Sequence, residues 1–173
     1  MKFMTGILIS LLSFLIFISP VSAKANNSDE KFTIYLVRHA EKVLEQKNPP
    51  LTACGIERAK QLASMLEQAE IKTIYSTQYT RTEETAQPLA AKLNLSVKSY
   101  SPKDLAIFAK QAKSENSNML IVGHSNTTPQ LTALIANTEV KDITEKEYQM
   151  LYQVHFNGEQ AHLTILKQPF TCQ

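Results

Sequence analysis

Two arginines and two histidines stand where apolar runs of this chain end. Arg38 and His39 adjoin and follow Ile34-Tyr35-Leu36-Val37, Arg81 lies beyond the short run Lys72 to Ser76, and His124 follows Ile121-Val122-Gly123. If those runs are strands of an open α/β sheet, ligands gather in the crevice beyond their carboxyl ends, and the four side chains are placed to meet. One arginine alone reads as a surface ion-pair partner. Two converging guanidinium groups, always charged and each presenting a planar fork, make a cradle for phosphate oxygens. Arg81 gains from a position at a helix start, where unpaired N–H groups also attract an anion. A neutral imidazole beside such a cradle is a nucleophile, and an unperturbed pKa of ~6.5 keeps much of it neutral near pH 7. His39 is the candidate to attack phosphorus, provided a backbone carbonyl in the loop Ala40 to Lys42 holds the proton of its other ring nitrogen. His124, protonated, would donate to the equatorial oxygens that gather charge during transfer.

Such a double displacement also needs an acid for the leaving oxygen and then a base for water. Glu41, two residues beyond His39, is the first candidate, with Glu83, Glu84 and Asp104 behind it; the plainer reading of those three is a solvated surface carboxylate. Ser125, Asn126 and Thr127 can donate to a phosphate or a substrate hydroxyl, or cap the helix that starts there. Thr85 can serve likewise near Arg81.

The stretches Arg38-His39-Ala40-Glu41-Lys42, Tyr75 to Ala86 around Arg81, and Ile121-Val122-Gly123-His124-Ser125-Asn126-Thr127 resemble, in order, the motifs of the histidine phosphatase superfamily. That group includes the phosphoglycerate mutase-like and small protein-histidine phosphatase enzymes. The resemblance spans the chain after its leader and implies a phosphohistidine intermediate on His39. It also implies a phosphoglycerate mutase-like fold and a phosphohydrolase that uses neither metal nor cofactor. Its partner would be a phosphorylated small molecule or a phosphoprotein. In many members the acid lies on an insertion after the second helix, a region that is short here, and the short insert leaves little lid for a mutase to exclude water. Two other classes stay open. One is a non-catalytic phosphate or phosphosugar binding module on the same fold. The other is a serine hydrolase using Ser125, since Gly123-His124-Ser125 superficially resembles a nucleophile elbow, although Thr127 replaces the closing glycine and Arg38 and Arg81 find no use there.

Phe32 to Val37 is predicted as a first strand, apolar enough to be covered on both faces. Glu45 to Pro50 is a loop, and Thr52 is a plausible N-cap for a helix that lines up Ile56, Ala59, Leu62, Ala63 and Leu66. Lys72 to Ser76 is a second strand. A second helix opens at Thr80 or Thr82 and buries Ala86, Leu89, Ala90 and Leu93, with Pro88 predicting a bend or a late start. Leu95 to Tyr100 is a third strand, followed by a helix to about Lys113 with Pro102 in its first turn. Asn118 to Val122 is a fourth strand and Thr127 to Ala136 a helix begun near Pro129. Met150 to Phe156 and Ala161 to Lys167 form a hairpin about Asn157-Gly158. This order predicts a three-layer α/β/α sandwich, its central sheet mostly parallel with an antiparallel edge. His155 and His162 lie opposite each other on the hairpin and read as structural, bringing no carboxylate or cysteine to a metal site.

Lys2, an apolar segment from about Gly6 to Ile18, and the small residues before Ala23 read as a signal peptide, residues 1–23, cleaved after Ala23. The segment is shorter than the ~20 residues a spanning helix needs, so no stable membrane insertion is expected after cleavage. Residues 24–31 form a polar lead-in and residues 32–173 one domain. The expected location is exported, periplasmic or secreted. A net charge of +2 gives no strong case for nucleic acid. Cys54 and Cys172 would meet an oxidising compartment, where a disulfide and two free thiols are both compatible with their spacing. Oligomeric state and the leaving group are not encoded in any motif.

Overall fold

The computed structural model describes residues 31–171; the leader and its cleavage site lie outside them. Ten elements alternate in the predicted manner: β1 (Lys31–Arg38), α1 (Ala53–Leu66), β2 (Thr73–Ser76), α2 (Thr80–Leu93), β3 (Val97–Ser99), α3 (Leu105–Ser114), β4 (Met119–Gly123), α4 (Thr127–Ala136), β5 (Met150–Asn157) and β6 (Gln160–Lys167). They form a six-stranded sheet in the order β3-β2-β4-β1-β5-β6. The pairs β2–β3, β2–β4 and β1–β4 are parallel, whereas β5 runs antiparallel to β1 and β6 to β5.

Strand geometry explains why β1 is apolar nearly throughout. Successive side chains point to opposite faces, and both faces are covered. Phe32, Ile34 and Leu36 pack with Phe108, Ala109, Leu131 and Ile135 of α3 and α4. Val37 packs on the other face with Leu62, Ala63, Leu66, Ala86 and Leu89 of α1 and α2. Ile34 and Leu36 are fully buried, and each such side chain contributes roughly 1.5–3 kcal/mol. The result is the three-layer α/β/α sandwich that the element order predicts.

Several boundaries differ from the sequence reading. Thr52 does cap α1, its side chain accepting from Gly55 N. Ile56, however, is exposed, and Gly55 and Arg58 take the inward positions in that turn. The reason is that this end of the helix abuts the 40–42 loop instead of the sheet: a Cβ on Gly55 would stand 2.2 Å from Glu41 O, so only glycine permits the approach. Pro88 neither delays nor ends α2, which starts at Thr80 and continues through it. Its start is held instead by Asn48, whose Oδ1 accepts from Thr80 N at 3.1 Å. Pro102 falls before α3 rather than in its first turn, because the helix begins only at Leu105 after the Asp104 N-cap. In the hairpin, Asn157 pairs with Gln160, so Gly158 and Glu159 form the turn, with Gly158 at φ 60 as its first central residue. His155 and His162 are paired in register, and His155 Nδ1 is 3.1 Å from Thr33 Oγ1. Cys54 is disulfide-bonded; Cys172, the other cysteine of the sequence, lies outside the described residues. Among the described residues, no helix is long and apolar enough to cross a membrane.

Candidate active site

Parallel register brings the three strand exits together. Arg38 pairs with Gly123 and Ser76 with Val122, so the residues that follow β1, β4 and β2 emerge side by side at one edge. His39 N donates to Gly123 O at 3.0 Å, fixing the first two exits to each other. The His39 and His124 rings consequently stand 5.6 Å apart, edge to face. Arg81, one residue inside α2, brings its guanidinium to the same place, 3.3 Å from His124 Nδ1. Arg38, His39, Arg81 and His124 are therefore gathered as the strand-exit argument requires. His39, Arg81 and His124 line a cleft of about 480 Å³, and the buried Arg38 reaches it through Glu145, which lines it.

The tautomer of each histidine follows from its partners. His39 Nδ1 is 2.8 Å from Ala40 O. A carbonyl only accepts, so Nδ1 carries the proton and Nε2 keeps its lone pair. Ala40 is itself held, its N donating to Thr85 Oγ1 at 3.0 Å while that hydroxyl donates to Arg81 O at 2.7 Å. Thr85 thus ties the nucleophile's loop to the helix bearing the second arginine. Burial above all, with the nearby positive charges of Arg38 and Arg81, lowers the His39 pKa to about 3 although the Ala40 hydrogen bond opposes the shift. The ring is neutral near pH 7.

His124 departs from expectation. Arg81 can only donate, so Nδ1 accepts; Nε2 then carries the proton and donates to Thr77 Oγ1 at 2.9 Å. Burial first, then Arg81 and Arg38, lower its pKa to about 4. As the side chains stand, His124 is neutral and not the imidazolium the sequence reading assumed, because burial and then the two guanidinium groups disfavour a further positive charge.

The acid assignment also changes. Glu41 is tied to Arg58 in a two-point ion pair, with Nη2 to Oε1 at 2.6 Å and Nε to Oε2 at 2.9 Å, and does not line the cleft. Glu84 Oε2 accepts from Leu51 N at 2.7 Å, and neither it, Glu83 nor Asp104 lines the cleft. The carboxylate that does is Glu145, in the loop before β5. Its Oε2 is 2.6 Å from Arg38 Nη2, and its Oε1 accepts from the Ser125 hydroxyl. Those two partners and Lys42 outweigh partial burial and hold its carboxyl below the usual range. The same loop provides further contacts for Arg38: Thr144 O and Glu147 O accept from Nη1 at 3.1 and 3.3 Å, and Tyr148 lies under the guanidinium, 4.0 Å from ring centroid to Cζ. Glu145 and Tyr148 carry no motif or periodicity. The antiparallel placement of β5 beside β1 was the one available signal, since Val37 pairs with Leu151 and the residues before β5 must pass over the exit of β1.

Ser125 and Asn126 line the cleft. Asn126 makes no side-chain cap bond to α4, whereas Thr127 Oγ1 accepts from His124 N at 3.1 Å. No histidine hydrogen-bonds Ser125 among the described residues; the partner of its hydroxyl is Glu145. The arrangement lacks the histidine base of a serine-hydrolase triad. Arg38 Nε and Arg81 Nε are buried and make no hydrogen bond among the described residues. Two buried cationic donors beside a cleft suit a multiply charged oxyanion, because leaving such donors unmatched is costly.

The family model of the histidine phosphatase superfamily (branch 1) matches residues 34–101, which include Arg38, His39 and Arg81. Over that stretch the chain is similar to the histidine phosphatase superfamily. Solved structures share the fold of this chain. The protein histidine phosphatase SixA complexed with tungstate is 16% identical with a TM-score of 0.66, over 79% of this chain and 97% of that one. The α-ribazole phosphatase from Shigella flexneri is 17% identical with a TM-score of 0.62, over 78% and 96%. Phosphoserine phosphatase from Entamoeba histolytica in complex with 3-phosphoglyceric acid is 16% identical with a TM-score of 0.58, over 77% and 95%. No curated protein matches the chain in sequence.

Proposed function

We propose that the chain is a metal-independent phosphohydrolase that cleaves a phosphomonoester, or phosphohistidine in a protein, through a phosphohistidine formed on His39. The supporting observation is the fixed tautomer of His39: Nδ1 is bound to Ala40 O, so the lone pair is on Nε2 beside two guanidinium groups with free Nε donors. The substrate phosphate displaces Glu145 from Arg38 and sits between Arg38 and Arg81, with Ser125 and Asn126 available to its remaining oxygens. Nε2 of His39 attacks phosphorus as the bond to the leaving oxygen breaks. The negative charge brought by the phosphate favours the protonated form of His124, which then donates to an equatorial oxygen. Glu145, released from Arg38 and left beside the phosphate's negative charge, takes up a proton as the substrate binds, gives it to the leaving oxygen, and next takes a proton from the water that attacks the phosphohistidine. The P–N bond breaks and inorganic phosphate leaves. The leader-like first 23 residues support an exported enzyme, periplasmic or secreted.

The ion pair of Glu145 with Arg38 favours a second reading, a binding module whose cradle is closed by its own carboxylate. Turnover separates the two. The enzyme releases phosphate from p-nitrophenyl phosphate in excess chelator, and vanadate inhibits the release. Saturable phosphate binding without release would support the module.

A further inference from the structure

The phosphate cleft does not end at Arg81. A second hollow of about 420 Å³ adjoins it and shares Tyr79, Pro102 and Lys103 as a common wall. Its other lining includes Gln78, Ser99 and Ser101. Both volumes fall in the range of small-molecule sites, about 300–1,000 Å³. A phosphohistidine on a protein surface would need only the cradle and would leave the second hollow unused.

The chemistry of the wall narrows what fits. Gln78, Ser99 and Ser101 offer amide and hydroxyl groups that both donate and accept, which suits a skeleton bearing several hydroxyls. Tyr79, whose ring is partly exposed and backed by the Arg81 guanidinium at 4.6 Å, gives with Pro102 an apolar surface for C–H groups. The loop that carries the wall is held at its start, where Tyr100 N donates to Ser76 O at 3.0 Å, and folded on itself, where Lys103 N donates to Ser101 Oγ at 3.2 Å. Lys103 is exposed and in none of the ion pairs among the described residues, and no acidic side chain lines the second hollow. Lys42, the other lysine of the cleft, acts on the Glu145 carboxylate instead. A cation without a carboxylate partner, on the wall between two hollows, matches an anion on the leaving group.

We infer that Tyr79, Pro102 and Lys103 divide the phosphate cradle from a leaving-group subsite for a small, polyhydroxylated phosphomonoester that carries a second anionic group, held at Lys103. The inference rests on the phosphohydrolase reading. It is tested by kcat/KM for a hexose monophosphate, a hexose bisphosphate, a phosphorylated sugar acid and p-nitrophenyl phosphate, alongside a phosphohistidine-bearing protein. The enzyme and its Lys103→Ala and Lys103→Glu variants are compared. The native enzyme prefers the two doubly anionic sugars to the monophosphate, the bisphosphate and sugar-acid arms showing which second anion is favoured. Lys103→Ala lowers the ratio of their kcat/KM to that of p-nitrophenyl phosphate about tenfold, mainly through KM, and Lys103→Glu lowers it further. Equal turnover of neutral and anionic sugars, an unchanged ratio in both variants, or a preference for the phosphohistidine protein over every ester overturns the subsite while the phosphatase reading stands. Absence of turnover on every substrate, with no phosphate on His39, overturns both.

Discussion

Oε2 of Glu145 lies 2.6 Å from Nη2 of Arg38, so the base of the phosphate cradle is paired with a carboxylate from a loop more than a hundred residues later in the chain. The pairing bears on both binding and chemistry. In the proposed mechanism a phosphate exchanges with that carboxylate, and the exchange frees Glu145 to carry a proton to the leaving oxygen.

Glu145→Gln accordingly separates substrates by leaving group. Alkyl phosphomonoesters, whose alkoxide needs a proton, slow by about 10²–10⁴, the usual range for a lost general acid. p-Nitrophenyl phosphate, which leaves as a stabilised phenolate, slows much less. Steady-state kinetics on the two classes is the check. Equal slowing, or acceleration of both, would mean that Glu145 only closes the cradle.

The lowered histidine pKa values make stability depend on pH. His39 has a folded pKa of about 3 and His124 of about 4, against ~6.5 when unfolded. Below pH ~6.5 the unfolded chain therefore binds more protons, and stability falls with pH until the folded rings titrate too. The Tm drops between pH 7 and pH 4. In His39→Ala the drop is smaller by about 5 °C or more, because one titrating site is gone. Parallel thermal melts check this, and identical slopes would contradict the buried neutral imidazole.

Glu41→Gln distinguishes support from catalysis. Arg58 is buried and also donates to Phe170 O at 3.1 Å, so removing the charge of Glu41 weakens the tie between the 40–42 loop and α1. The expected cost is about 2 kcal/mol, seen as a Tm lower by about 4–8 °C. The dependence of rate on leaving group stays as in the native enzyme. A large, leaving-group-dependent rate loss with an unchanged Tm would restore Glu41 as the acid.

What could be read from the sequence, and what could not, divides along physical lines. Arg38, His39, Arg81 and His124 were legible because parallel strands align their carboxyl ends, and apolar runs mark those ends. The Ala40 carbonyl followed from the need to hold one imidazole proton. Glu41 misled because proximity in sequence to His39 is not proximity in space: at a strand exit neighbouring residues diverge, and Glu41 turns toward α1. Glu145 and Tyr148 were hidden in a polar loop without periodicity, and only the pairing of β5 with β1 carries that loop over Arg38. Gly55 showed no pattern either, since its role is the close approach to Glu41 O.

The central claim, that His39 carries the phosphoryl group, is tested most directly by rapid denaturing quench during turnover followed by tandem mass spectrometry. One phosphate on His39 is expected in the native enzyme, none in His39→Ala, and slower formation in His124→Ala. Sustained turnover by His39→Ala, or phosphate recovered on Ser125 instead, would contradict the account.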